Sequence, residues 1–150
     1  STLAAAAIRE LWEETGQILG SPGIWHAPPL DWQEFAAAGH LPDATALSFF
    51  FRAVTPEGRP RRFDARFFLT DAAALVPDPD DFSNAEDELS HLQWVPLQDA
   101  RQFDLPFITR VVLAELIAHI ARDAPIQSVP FFRNDEESHL ITRLDGADLI

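Results

Sequence analysis

Apolar positions recur every three or four residues at the start of the chain, and the spacing predicts a helix over residues 2 to 15, TLAAAAIRELWEET. Leu3, Ala7 and Leu11, with neighbouring Ile8, would form its buried stripe, Ser1 or Thr2 its cap and Gly16 its end. Residues 17–30 hold Gly20, Pro22, Gly23, Pro28 and Pro29 and read as an irregular connection. DWQEFAAAG then predicts a short helix, with Asp31 as N-cap and Gly39 as stop. The aromatic run from Ala44 to Val54 predicts a strand, TPEGRP a turn and Arg61 to Leu69 a second strand. In that second strand Arg61, Phe63, Ala65, Phe67 and Leu69 share one face, and Arg62, Asp64, Arg66 and Phe68 the other. Residues 76–88 are acidic and proline-rich and read as a solvated loop, and LSHLQWVPL reads as a third strand. LQDARQF starts a helical turn. A longer helix is expected from about Leu105 to Ala121, with Ile108, Val112, Leu116 and Ile120 along its stripe. VPFFR and HLITRL close the chain as a hairpin around Asn134 and Asp135.

The length of 150 residues and the 47% hydrophobic content suit one buried core, so a single domain over 1–150 is expected. Charge narrows the partners. There are 24 acidic residues against 11 basic ones, all of the latter arginine, for a net −13. Such a surface argues against general binding to nucleic acid or to an anionic membrane. It leaves room for a small phosphorylated ligand held by a few arginines or a bound cation. The lack of cysteine excludes disulfides, thiolate metal sites and cysteine nucleophiles. No apolar run reaches the ~20 residues of a membrane span, and no signal peptide is legible, so the cytoplasm is the default compartment. The sequence contains no methionine and starts at Ser1, which permits either initiator removal or a chain that lacks its beginning.

On a helix, Glu10, Glu13 and Glu14 stand at i, i+3 and i+4, so their carboxylates project from one face and are expected to converge near its end. One reading is a solvated polar face. The other is a divalent-cation site, because magnesium and manganese favour hard oxygen ligands and leave room for substrate phosphates. Arg9 is one turn from Glu13 and can pair with it.

The string AAIRELWEETG closely resembles the second half of the signature of the Nudix hydrolases, Arg-Glu-hydrophobic-x-Glu-Glu-x-Gly-hydrophobic. Arg9, Glu10, Leu11, Glu13, Glu14 and Gly16 match in order. The final hydrophobic position is Gln17, and the signature's first glutamate would fall on Ser1, with the glycine before it outside the chain. The resemblance implies an α/β/α sandwich with a mixed sheet, here without its N-terminal strands. It implies a Mg2+- or Mn2+-dependent pyrophosphohydrolase acting on a nucleoside diphosphate linked to another moiety. Glu13 and Glu14 would be the principal metal ligands, Glu10 a ligand or the residue that orients water, and Arg9 the residue that positions the carboxylates. A Nudix-derived module without activity is the competing reading, and Ser1 at a glutamate position is what favours it.

Many Nudix enzymes add an acidic residue from a later loop. Glu86, Asp87 and Glu88 are available, of which Glu88 is the first choice and Glu86 the second. RPRRFDARFFL resembles a segment of the branch related to peroxisomal coenzyme A diphosphatases, which implies a coenzyme A or acyl-coenzyme A substrate. ADP-ribose, a dinucleotide or a nucleotide sugar is the alternative, and a homodimer is left open. Arg62 and Arg66 would grip phosphate from one face of their strand, unless Asp64 between them ties up their charge in an ion-pair ladder. The five histidines are scattered and read as structural or solvent-facing. Trp25 and Trp32 read as anchors of the proline-rich loop rather than as a platform for a base. No nucleophile elbow and no glycine-rich phosphate loop is present.

Overall fold

The computed structural model describes residues 2–55, 58, 60–76, 78–85, 91–135 and 138–144, with side chains as far as Arg133. The chain divides into two compact units, Ser1–Leu47 with Leu69–Trp94, and Ser48–Phe68 with Val95–Ile150.

The first unit begins with α1 (Thr2–Thr15), whose alanines, leucines and glutamates are strong helix formers. Its buried residues are Ala4 and Ile8, and Ala5, Leu11 and Trp12 pack beside them. The expected stripe is therefore displaced by one residue, and Leu3 is left 47% exposed. Trp12 causes the shift: its ring meets Phe35 edge-on at 5.8 Å and turns the 4-8-12 side of the helix inward. Gly16 ends the helix with φ +71°, and its N–H donates to the Trp12 carbonyl at 2.8 Å.

Residues 17–30 contain more order than their prolines suggest. β1 (Gly20–Pro22) pairs antiparallel with β2 (His40–Pro42), with Ser21 opposite Leu41. Between them lie a 3-10 turn, Leu30–Trp32, and α2 (Gln33–Ala37), which Gly39 (φ +81°) follows. Asp31 is inside the turn and caps nothing; Trp32 occupies the cap position of α2 without a side-chain bond. Ile8, Ile18, Leu19, Trp32 and Phe35 form the core of this unit. Trp32 packs against Phe35 at 5.3 Å and against Trp25 at 5.8 Å, so both tryptophans anchor the segment, as expected.

The segment after Val76 is an exposed loop, as expected, and it is tied down through its backbone. Ile18 and Val76 exchange both backbone hydrogen bonds, at 3.0 and 2.9 Å. The buried Gln17 amide donates to the carbonyls of Asp78 (3.2 Å), Pro79 (3.5 Å) and Asp81 (2.6 Å). Trp94 adds an indole N–H bond to the Pro79 carbonyl at 2.9 Å, and its ring lies 6.3 Å from Phe82. The expected third strand is absent among the described residues 91–96, because there Trp94 is fixed by its side chain and not by a ladder. Leu89 and Ser90 of that run lie outside the described residues.

The second unit is built on a mixed four-stranded sheet in the order β4-β3-β5-β6. β3 (Ser48–Val54) runs parallel to β5 (Val129–Asp135), with Arg52 opposite Phe131, and β5 runs antiparallel to β6 (Ser138–Leu144). β3 starts four residues later than expected, because Leu47 N–H bonds the Ala44 carbonyl at 3.0 Å and closes a turn there. β4 (Asp64–Leu69) also starts late, and it carries aromatic contacts on both faces. Phe67 meets Phe51 at 6.1 Å, and Phe68 meets Phe49 at 5.7 Å, so each of the two expected faces carries an aromatic contact. The final hairpin is present, but its strands continue to Asp135 and resume at Ser138. Pro56, Glu57 and Arg59 of the TPEGRP turn lie outside the described residues.

α3 (Phe107–Arg122) begins after Pro106 and is stopped by Asp123 in the left-handed region, φ 46°. Val112 is its buried residue, while Ile120 is 60% exposed, so the expected stripe fails over the last turn. Phe107 packs against Phe132 of β5 at 6.1 Å. Among the described residues no helix is long and apolar enough to cross a membrane.

Candidate active site

Because Ala4 and Ile8 face inward, the residues of α1 on the opposite side face solvent. Glu10, Glu13 and Glu14 are all exposed there. Arg9 lies beside them, 30% exposed, and its guanidinium serves three carboxylates. Nη1 donates a hydrogen bond to Asp31 Oδ2. Nη2 lies 3.9 Å from Glu10 Oε1, and Nε lies 3.5 Å from Glu13 Oε1. The Nε contact is close enough to count as an ion pair but is not aligned as a hydrogen bond, and Nε is buried without any other acceptor.

The predicted pairing of Arg9 with Glu13 is present, and Asp31 is its unforeseen third member. Asp31 is 22 residues away in sequence. Only the fold of the connection brings it to α1, and its position before a helical run pointed instead to a cap.

The donor set suits a hard divalent cation: carboxylate oxygens within one helical turn, exposed and not consumed by hydrogen bonds to Arg9. Among the described residues, however, no three acidic or histidine side chains stand close enough together to surround an ion. The convergence expected from spacing is thus incomplete, and the remaining ligands of a cation here would be water or phosphate oxygens. Glu86, Asp87 and Glu88 lie outside the described residues. Asn84 is so close to Gly16 that a Cβ on the glycine would lie 2.8 Å from the Asn84 Cβ and 2.9 Å from its carbonyl carbon. A glycine is therefore required at this point of the signature, both for its positive φ and for space.

Gln17 stands where the signature has a hydrophobic residue, and the structure gives it a definite task. Its amide N–H2 holds the backbone that leads to Asn84, and its Oε1 is buried without a partner. Beside it is a cavity of about 200 Å³ lined mainly by Leu11, Leu75, Phe82, Leu92 and Trp94.

Arg62 and Arg66 belong to the second unit. Arg52 Nε and Nη2 bind both oxygens of Asp64 at 2.9 Å, and Arg66 Nη1 lies 3.2 Å from the same carboxylate. Hydrogen bonding to Arg52, more than charge alone, lowers the Asp64 pKa from the usual carboxylate value and raises that of Arg52. Arg66 is thus in the ion-pair ladder, whereas Arg62 is exposed and has no partner among the described residues.

No curated protein and no solved structure gives a significant match to the chain. The family model for the NUDIX domain matches residues 1–116, which include Arg9 to Gly16 and the elements through most of α3. The chain accordingly belongs to the Nudix family: an α/β protein of that fold class, a hydrolase of phosphoric anhydrides, in a family that generally works with divalent cations on nucleotide-derived small molecules.

Proposed function

We propose that this chain hydrolyses the pyrophosphate bond of coenzyme A or an acyl-coenzyme A, with Mg2+ or Mn2+ bound through carboxylates drawn from Glu13, Glu14 and Glu10 and its shell completed by water and phosphate oxygens. The observation that carries this reading is the exposed carboxylate face of α1, whose oxygens at Glu10 and Glu13 lie beside Arg9 without being hydrogen-bonded to it. A cation there supplies charge neutralisation at the phosphate oxygens and a lowered pKa for attacking water. Water oxygen bonds to phosphorus as the bridging P–O bond breaks, and two phosphomonoesters leave. Arg9 fixes the rotamer of Glu13, and Glu10 orients the water. Glu88 accepts the proton. The coenzyme A assignment rests on the run Arg59 to Leu69, in which Arg62 is an exposed guanidinium suited to a phosphate.

The test is hydrolysis by the full-length protein of coenzyme A, ADP-ribose, NADH and nucleoside triphosphates, with and without Mg2+. Glu13→Gln is expected to lower kcat/KM about 100-fold or more, as loss of a metal-ligand contact does. Preference for ADP-ribose or NADH would move the substrate to the dinucleotide class. Absence of turnover on every compound would leave a binding module.

A further inference from the structure

Asp31 lies outside the signature, yet it makes the one hydrogen bond that the Arg9 guanidinium donates among the described residues. A guanidinium prefers a bidentate carboxylate partner. Two other carboxylates are within reach, at 3.5 and 3.9 Å, and either would lose cation-binding lone pairs by accepting from it. We infer that Asp31 is a positioning residue for the cation site: it takes up Arg9 and so keeps the oxygens of Glu10 and Glu13 available to metal. The inference rests on the reading of these glutamates as metal ligands. In this arrangement Arg9 still orients Glu13 through the ion pair, but it does not compete for it. Without Asp31 the carboxylates nearest the guanidinium among the described residues are the ligands themselves.

The test is Mn2+ titration of the full-length protein, followed by electron paramagnetic resonance, for the wild type, Asp31→Asn, Arg9→Gln and the double variant. Asp31 is 51% exposed, so its substitution places no strain on the core. Asp31→Asn is expected to weaken Mn2+ binding about tenfold, in the range seen when a residue orienting a ligand is removed. Asp31→Glu is expected to restore it. In the Arg9→Gln background the same change is expected to have no further effect, because its route of action is gone. In turnover assays Asp31→Asn should raise the Mg2+ concentration for half-maximal rate more than it lowers kcat. An equal loss in both backgrounds would mean that Asp31 acts only by its charge across space, and unchanged or tighter binding in Asp31→Asn would mean that Arg9 is not held off; either overturns the inference. A Glu13→Gln variant that binds Mn2+ as the wild type does would remove the cation site itself, and the inference with it.

Discussion

Asp64 shows how one carboxylate can decide what several arginines are free to do. It binds Arg52 through both oxygens and also holds Arg66, while the Arg52 guanidinium lies 5.0 Å from the Phe131 ring. Partial exposure limits the worth of such a pair, and Asp64→Asn is expected to cost about 0.5–1 kcal/mol at neutral pH. The sign of its pH dependence follows from the lowered pKa. The contribution is complete above the unfolded value near 4 and is lost as pH falls through the lower folded value. Urea midpoints of wild type and Asp64→Asn should therefore differ at pH 7 and come together once the pH falls below the lowered folded value; a gap that stays constant with pH would exclude ionisation as its source. The sequence placed Asp64 between two arginines and offered the ion-pair ladder as one reading, but Arg52, the stronger partner, is 12 residues away and was invisible to spacing along a single strand.

At the scale of elements, the two long helices, the β3–β4 neighbours and the final hairpin were legible because their periodicity or alternation extends over many residues. β1 and β2 were not, since three-residue strands ending at Pro22 and Pro42 carry no alternation to read. The loop after Val76 is exposed as its acidic composition indicated, but its anchoring was not legible for a related reason: it comes from backbone carbonyls bound by Gln17 and Trp94. Gln17→Leu preserves volume and restores the family's hydrophobic position, yet it takes the amide donor from the Asp81 carbonyl and one of two donors from the carbonyls of Asp78 and Pro79. The expected cost is about 1–3 kcal/mol, concentrated in the loop. Hydrogen exchange should show faster opening of residues 78–85 in Gln17→Leu with α1 little changed. Uniform loss of protection across both would mean that Gln17 supports the unit as a whole.

At the scale of the whole molecule, the net charge of −13 opposes both compaction and the approach of an anionic substrate. The function class was legible because the Arg9 to Gly16 string is contiguous, whereas Asp31, which completes its ion-pair network, reaches it only through folding. The same charge supplies a test that separates general screening from a specific site. NaCl should raise Tm by weakening repulsion between surface carboxylates, with an effect that levels off as the Debye length falls to about 8 Å at physiological ionic strength. Mg2+ at equal ionic strength should raise it further, because a ligand that binds only the folded state adds RT ln(1 + [L]/Kd), about 1.4 kcal/mol at ten times Kd. In Glu13→Gln the NaCl effect should persist and the additional Mg2+ effect should disappear. If Mg2+ and NaCl coincide in the wild type at matched ionic strength, the carboxylates of α1 are only a solvated acidic face, and the catalytic reading of Glu10, Glu13 and Glu14 fails with them.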